Sequence, residues 1–385
     1  MEVDNQVHEY LKGLQEQVPS ELASICSELE SLYERRLWHQ LTEKVQEFFQ
    51  DPRTAPFRIS MYKNFISDWE KQMNKIMLVT FALYAAKQFK EITEADAFME
   101  EIAEKVNSPQ SQEAHTLAKL EQAHFKLLMN SIDAAQQTLK DADATLSSLN
   151  RIETVVYASY YRVSADYYKV KADFGQYYKN ALLLLSCIKL EDLSLEEKLE
   201  RTHDLATAAL LSDTIYNFGD LLSHPIIECL RDSQQSWMYE LLVAFNSGDI
   251  SKLNSLTPNL QSNPLLLQNL PFLQQKIRLM ALVETVFKRQ GASENNEKSL
   301  SFETIALDTK LPVGEIEHLI MSALSLGLVD GKIDQVSRCV NFQWVQPRYL
   351  DKNQIINMGS RLKALSSRVS AMAGSMDVMI SSNIN

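Results

Sequence analysis

Ten glycines and ten prolines among 385 residues are few, so neither a turn-rich β fold nor a linker-rich or disordered chain is expected. Cysteine is scarcer still. Cys26, Cys187, Cys229 and Cys339 lie far apart with no C-x-x-C spacing, which argues against a disulfide framework or a cysteine zinc motif and predicts buried free thiols in a reducing compartment. The seven histidines, His8, His39, His115, His124, His203, His224 and His318, never fall within four residues of one another, so neither H-E-x-x-H nor H-x-H exists. No P-loop, G-x-S-x-G or Rossmann glycine pattern is present. No catalytic site, metal or cofactor is therefore predicted. Long apolar runs are missing too: the longest, Ile76 to Ala86, is far short of a membrane span. The opening MEVDNQVHEY lacks the basic start and apolar core of a signal peptide, so a cytoplasmic and nuclear protein is expected. Positive charge is in deficit, 38 Lys and Arg against 50 Asp and Glu, and the net −12 disfavours a general nucleic-acid or anionic-membrane binder.

What is present is hydrophobic content, 45%, in helical patterns, which predicts a mostly α protein able to bury a large core. From Ser20 to about Ser212 the chain reads as consecutive helices. Breaks fall at Asp51-Pro52, Ala55-Pro56, Asn107 to Pro109, Asn150 and Asp192 to Ser194. Thr93 with Asp96 resembles a capping pair, and Ser194 with Glu197 a capping box. Residues 115–146 and 157–188 superimpose at a period of about 40 residues, aligning Ala123 with Ala165 and Phe125 with Tyr167, near the period of tetratricopeptide-like and HEAT-like helix pairs. Tyr157, Tyr160, Tyr161, Tyr167, Tyr168, Tyr177 and Tyr178 are spaced to pack between the helices of such a pair, their hydroxyls at the polar edge. Carboxylate-rich stretches such as Glu94 to Glu104 read as solvated helix faces.

Between Leu300 and Leu350 the pattern changes. Ser301 can cap a short helix bearing Phe302, Ile305 and Ala306, and Pro312 with Val313 opens a second, whose Ile316, Leu319, Ile320, Ala323 and Leu324 share one face until Gly327 closes it. The period then drops to two. Val336, Val340, Phe342 and Trp344 alternate with polar residues, and Leu328 to Asp334 is the expected partner strand, reversing either at Asp330-Gly331 or between Asp334 and Ser337. With Ile277 to Gln290 as first helix and the polar residues 291–299 as a loop, this is a winged helix. Its second helix offers Glu315, Glu317 and His318 but no Lys or Arg from Val313 to Leu326, so it is read as a protein-docking module rather than a DNA reader.

Past the winged helix, Ile355, Met358, Leu362, Leu365, Val369, Met372, Met376 and Met379 are spaced 3-4-3-4-3-4-3, a narrow heptad seam. Its methionines suit contact with several partner helices at once, or the helix folds back on its own winged helix. The expected organisation is residues 1–200 as a right-handed helical-repeat solenoid, 201–350 as a second domain with a helical part (201–276) and the winged helix with its small antiparallel sheet (277–350), and 351–385 as a long C-terminal bundle-forming helix.

Leu311 to Leu350, LPVGEIEHLIMSALSLGLVDGKIDQVSRCVNFQWVQPRYL, resembles the end of the PCI domain in the 26S proteasome non-ATPase regulatory subunit 13 family. IYNFGDLLSHPI (Ile215 to Ile226) and LLVAFNSGDI (Leu241 to Ile250) are similar to the helical half of that domain. The resemblance covers most of the chain, its distinctive motifs lying in the C-terminal half. It implies a non-catalytic scaffold subunit of the regulatory-particle lid, part of a hetero-oligomer with other PCI-domain and MPN-domain subunits, in which ubiquitin removal belongs to a different, metal-dependent subunit. In that family winged helices align edge to edge and C-terminal helices gather into a bundle. Cys339 to Val345 would then be an edge strand open to augmentation, with Cys339, Asn341, Gln343 and Val345 as candidate contacts. The competing readings are a subunit of a sister PCI assembly, the signalosome or a translation initiation factor, and a nucleic-acid-binding PCI protein.

Overall fold

A computed structural model describes residues 2–17, 19–149, 151–231, 233, 235–292, 299–346 and 352–383. Its backbone divides into two units, Met1–Lys189 and Leu190–Asn385. Helices of seven residues or more are numbered in chain order.

Among the described residues, every regular element of the first unit is helical. It runs α1 (Glu2–Gln17), α2 (Ser20–Glu34), α3 (Trp38–Gln50), α4 (Lys75–Ala86), α5 (Ile92–Val106), α6 (Gln112–Leu128), α7 (Ile132–Ser148), α8 (Thr154–Val170) and α9 (Phe174–Cys187). The 3.6-residue period decides which face goes inward: in α3, Leu41, Val45, Phe48 and Phe49 are buried. The apolar run of α4 has no polar stripe, and Ile76, Leu78, Val79, Phe81, Ala82, Ala85 and Ala86 are all buried, so it is a core helix wrapped by its neighbours. Pro52 and Pro56, which break the α pattern as expected, sit in a 3-10 segment, Pro52–Phe57.

The repeat is exact in its joints. After α6 the chain turns at Asn130 (φ 63°), and after α8 at Ala172 (φ 58°). Ser131 N–H donates to Lys126 O at 2.9 Å, and Asp173 N–H to Tyr168 O at 3.0 Å. Both are left-handed helix closures that occupy orphan carbonyls. α2 ends the same way, with Arg36 at φ 56° and Leu37 N–H donating to Leu32 O at 3.1 Å. Ala172 has a Cβ in a conformation that penalises one. Ala172→Gly is therefore expected to raise stability by about 0.5–1 kcal/mol, read as a higher urea midpoint of the full chain. The aligned positions agree in burial: Ala123 and Ala165, and Phe125 and Tyr167, all lie in the interior. The tyrosines pack as expected. Tyr167, Tyr177 and Tyr178 are buried, Tyr157 stacks on Tyr161 at 6.1 Å, and Tyr160 donates to Asp143 Oδ1 at 3.2 Å. Burial, reinforced by that carboxylate, pushes the Tyr160 hydroxyl up to about 12.

Two local expectations resolve in opposite ways. Ser194 and Glu197 form a complete capping box, Ser194 N–H donating to Glu197 Oε2 at 3.1 Å and Glu197 N–H to Ser194 Oγ at 3.2 Å. Thr93 caps nothing: the N-cap of α5 is Glu91, two residues earlier, and Thr93 lies in the first turn. The Asn150 break lies outside the described residues. The four cysteines are unpaired, but only Cys26 is buried; Cys187, Cys229 and Cys339 are half-buried.

The second unit contains α10 (Leu195–Leu211), α11 (Ser236–Ser247), α12 (Ile250–Leu256) and α13 (Leu270–Ala292). The expected division at 200/201 falls inside α10, whose capping box makes residues 194–211 one helix. That at 276/277 falls inside α13. Pro271 sits at the start of this helix, where its missing N–H costs nothing, and no breaker follows, so one helix serves both halves. Between α11 and α12 Gly248 is left-handed (φ 67°), and Asp249 accepts from Ser251 N–H at 3.0 Å and Lys252 N–H at 3.2 Å, the joint expected from sequence.

Lys276 of α13 closes the end of α10. Its Nζ donates to the carbonyls of Ala209 (2.8 Å), Leu210 (3.2 Å) and Ser212 (2.6 Å), three acceptors for three protons at the negative end of a helix. The rings of Tyr216, Phe218 and Phe272 surround it at 5.3–5.9 Å. Burial pushes this ammonium down to about 7, against the pull of Asp213.

The winged helix follows: β1 (Ser299–Ser301), α14 (Phe302–Thr309), α15 (Val313–Ser325), β2 (Val329–Asp334) and β3 (Cys339–Val345). Ser301 Oγ accepts from Thr304 N–H at the start of α14, and Gly327 (φ 66°) closes α15, with Leu328 N–H donating to Ala323 O at 3.0 Å. Leu282, Val286, Ile305, Ile316, Ile320, Ala323, Val340 and Phe342 form one core.

Two strand expectations change. The reversal lies between Asp334 and Cys339, where Asp334 Oδ1 accepts from the N–H groups of Val336 and Ser337 at 3.1 Å and Arg338 is left-handed. Asp330-Gly331 is instead a bulge, and Val336 is a turn residue, 96% exposed. The sheet order is β1-β3-β2, antiparallel throughout, so β3 is the central strand and not an edge. Ser299 and Ser301 pair with Asn341 and Cys339, and β2 takes the other side. Three residues carry no period-two signal, which is why β1 escaped the sequence. Most of the polar loop expected at residues 291–299 lies outside the described residues.

Candidate interaction surfaces

The C-terminal helix α16 (Lys352–Asn383) has 32 residues, about 48 Å at 1.5 Å per residue. Every residue of it whose side chain is described is exposed. Its seam side chains Ile355, Met358, Leu362, Leu365, Val369 and Met372 are 49–70% exposed, and Ile356, which the heptad spacing omits, is equally so. The side chains of Met376 and Met379 lie outside the described residues. An amphipathic helix gains little stability in water until its apolar face is covered, and the winged-helix core draws its side chains from α13, α14, α15 and the sheet, not from α16. Among the described side chains of α16, none from Ile355 to Gly374 is buried against the winged helix. The helix also carries Lys352, Arg361, Lys363 and Arg368 against one carboxylate, Asp377, in a chain that is acidic overall.

On the winged helix, the candidate contacts divide by their place in the sheet. Cys339 and Asn341 already pair with β1. Gln343 and Val345 belong to the stretch of β3 that, among the described residues, pairs only with β2. Beside them Trp344, predicted with Val340 and Phe342 on the buried face, is 47% exposed. Further apolar side chains, Leu307, Met321 and Leu326, are exposed on α14, on α15 and just past the end of α15. Periodicity could not have found these, because each lies outside the apolar face its helix turns to the core. The carboxylates of α15 are set as a repulsive face for phosphate: Glu315 is exposed, and half-buried Glu317 accepts from Gln335 Nε2 of the wing at 3.1 Å. No helix among the described residues is long and apolar enough to cross a membrane.

A helical-repeat arm continued by short helices into a winged helix, with an exposed amphipathic helix beyond it, defines the class of PCI-domain proteins. The PCI domain model matches residues 253–344, and the model of PSD13 N-terminal repeats matches residues 25–242. The chain belongs to the 26S proteasome non-ATPase regulatory subunit 13 family. It is 37% identical over 379 residues to the probable 26S proteasome regulatory subunit rpn9 of Schizosaccharomyces pombe, covering 98% of this chain and 97% of that one. To the 26S proteasome non-ATPase regulatory subunit 13 of Dictyostelium discoideum it is 36% identical over 361 residues, 92% of each. Subunit M of eukaryotic translation initiation factor 3 from Emericella nidulans is similar over only 135 residues, 34% of this chain, at 30% identity.

Proposed function

We propose that the chain is a non-catalytic scaffold subunit of the 26S proteasome regulatory particle. It supports assembly of the lid that handles ubiquitinated proteins, in the cytoplasm and nucleus, as one member of a hetero-oligomer. Its partners are other PCI-domain and MPN-domain subunits, and neither a catalytic cofactor nor nucleic acid takes part in that role. One observation carries the reading: from Ile355 to Met372, about five turns, α16 holds an apolar seam that its own chain leaves in water. Helices of neighbouring subunits are the occupants that a heptad seam fits, with Ile355, Met358, Leu362, Leu365, Val369, Met372, Met376 and Met379 as the contacts. Around the winged helix, Gln343, Val345 and Trp344 are the second contact, offering backbone groups and one large exposed ring. Nearly full-length similarity to named proteasome regulatory subunits favours this assembly over a sister PCI complex, and the absence of cations from α15 disfavours a nucleic-acid reader.

The test is co-purification from cell extract. A tagged chain carrying Leu365→Asp and Val369→Asp is expected to recover lid subunits at least about tenfold less well than the parent, since two buried charges cost several kcal/mol at an apolar interface. Its thermal midpoint should match the parent, because both residues are solvent-exposed in the free chain. Undiminished recovery would overturn the seam as an interface.

A further inference from the structure

The first helix pair brings together metal-ligating side chains that no local spacing connects. His8 of α1 faces Glu30 and Glu34 of α2, its Nδ1 2.8 Å from Glu30 Oε1 and its Nε2 3.9 Å from Glu34 Oε1. One ligand atom from each of the three lies within 4.8 Å of the other two. Glu30 and Glu34 share a helix face because they are four residues apart. The His8 and Glu30 side chains are 25% and 23% exposed, whereas Glu34 is 62% exposed, which leaves an approach from solvent on one side. The edge of His8 also meets the Tyr33 ring at 6.3 Å, so the imidazole is held on two sides.

A cavity of about 470 Å³ opens at the same place, lined by His8, Tyr33, Glu34, Asp68 and Trp69 among others. Polar chemistry continues along its wall. The Tyr33 hydroxyl donates to the Asp68 carboxylate, and the indole N–H of Trp69, a residue 2% exposed, is buried without a hydrogen-bond partner. A buried donor left open beside an imidazole and two carboxylates is what an ion with its own oxygen ligands would satisfy.

We propose that a divalent transition-metal ion of the zinc class binds His8, Glu30 and Glu34 and clamps α1 onto α2. One nitrogen and two carboxylate oxygens are a donor set that Zn²⁺ accepts, with its remaining position free for water. The clamp has a structural purpose. α1 buries a short apolar row, Val7, Leu11 and Leu14, and its Tyr10 hydroxyl donates to Ser60 Oγ at 2.9 Å, so few polar bonds hold it beyond those with α2. A metal joining residues 8, 30 and 34 adds a cross-link between α1 and α2 that the apolar row alone does not supply.

The test uses the full chain, stripped with a chelator, with Zn²⁺ for calorimetry and Co²⁺ for its visible spectrum. One equivalent of Zn²⁺ should bind, the bound Co²⁺ should show ligand-field bands, and amide exchange in α1 should slow when Zn²⁺ is added. His8→Gln and Glu34→Gln should each weaken Zn²⁺ binding at least about tenfold and abolish both the bands and the protection. Glu34→Gln changes a largely exposed side chain, so this variant keeps its fold and isolates the ligand role. If the parent binds no Zn²⁺, or if both variants bind it as the parent does through the cysteines or other histidines, the clamp does not exist. Binding without added protection of α1 would equally overturn it.

Discussion

Replacing Arg162 by leucine is expected to lower the stability of the N-terminal unit by about 3–5 kcal/mol, the cost of leaving a buried carboxylate without its cation. Glu121 of α6 has no exposed surface, and Arg162 of α8 reaches it from the edge of the helix pair. One guanidinium nitrogen, Nη2, lies 2.5 Å from both Glu121 Oε1 and Oε2. In water such a pair contributes little, but here the carboxylate has already lost its hydration, and the guanidinium is what replaces it. The two residues sit on corresponding helices of successive repeats, so the bond also fixes how one helix pair stacks on the next. Glu121→Leu with Arg162→Leu should recover most of the loss, because removing both charges leaves nothing buried and unpaired. Urea denaturation of the parent, the two single variants and the double variant forms a complete cycle. A single-variant loss within the range of an exposed ion pair, about 1 kcal/mol or less, would show that Glu121 does not depend on Arg162.

Gly248→Ala should cost about 3 kcal/mol, although it adds one methyl group. Two penalties act together: a left-handed backbone that disfavours any Cβ, and steric conflict with a helix that has no room to yield. A Cβ at this position would stand 2.6 Å from Cα and 2.7 Å from N of Ala281, which are backbone atoms of α13 and not the flexible end of a side chain. Gly327→Ala is the matched control. Its φ is 66° against 67° at Gly248, but a Cβ there meets nothing within 4 Å, so only the conformational cost of about 1 kcal/mol remains. The difference between the two thermal midpoints measures the close approach of α11 to α13. Equal losses would mean that α13 shifts to accept the methyl group. Since α13 supplies both the cap on α10 and the first helix of the winged helix, a shift there should also weaken the core around Leu282 and Val286.

Much of the architecture is written in local patterns. Helix faces follow from the 3.6-residue period, as in α3 and α15, and helix ends from short-range chemistry, as at Ser194, Asp249, Ser301 and Gly327. The repeat period placed Ala123 with Ala165 and the joints fell 42 residues apart at Asn130 and Ala172. The exposed seam of α16 was legible because heptad spacing is a property of one helix alone. Where local pattern left alternatives open or misplaced a strand, pairing across the sheet decided. Asp330-Gly331 has the composition of a turn, yet the register against β3 makes it a bulge, and the chain reverses where Asp334 can accept from two amides. β3 has the alternation of a strand, but alternation does not say how many neighbours it has, and the three-residue β1 makes it central.

By itself, then, the sequence determined the class of elements, their ends and the apolar faces, because these depend on backbone periodicity and on side chains reaching their own turn. Only the tertiary structure decided the strand order, the continuity of α13 from Leu270 to Ala292, and the pairings His8 with Glu30, Glu121 with Arg162, and Lys276 with the end of α10. Those partners are 22 to 67 residues apart. Glu121 and Lys276 take their partners because a buried charge needs a counterpart once the helices have packed, a condition no local spacing encodes.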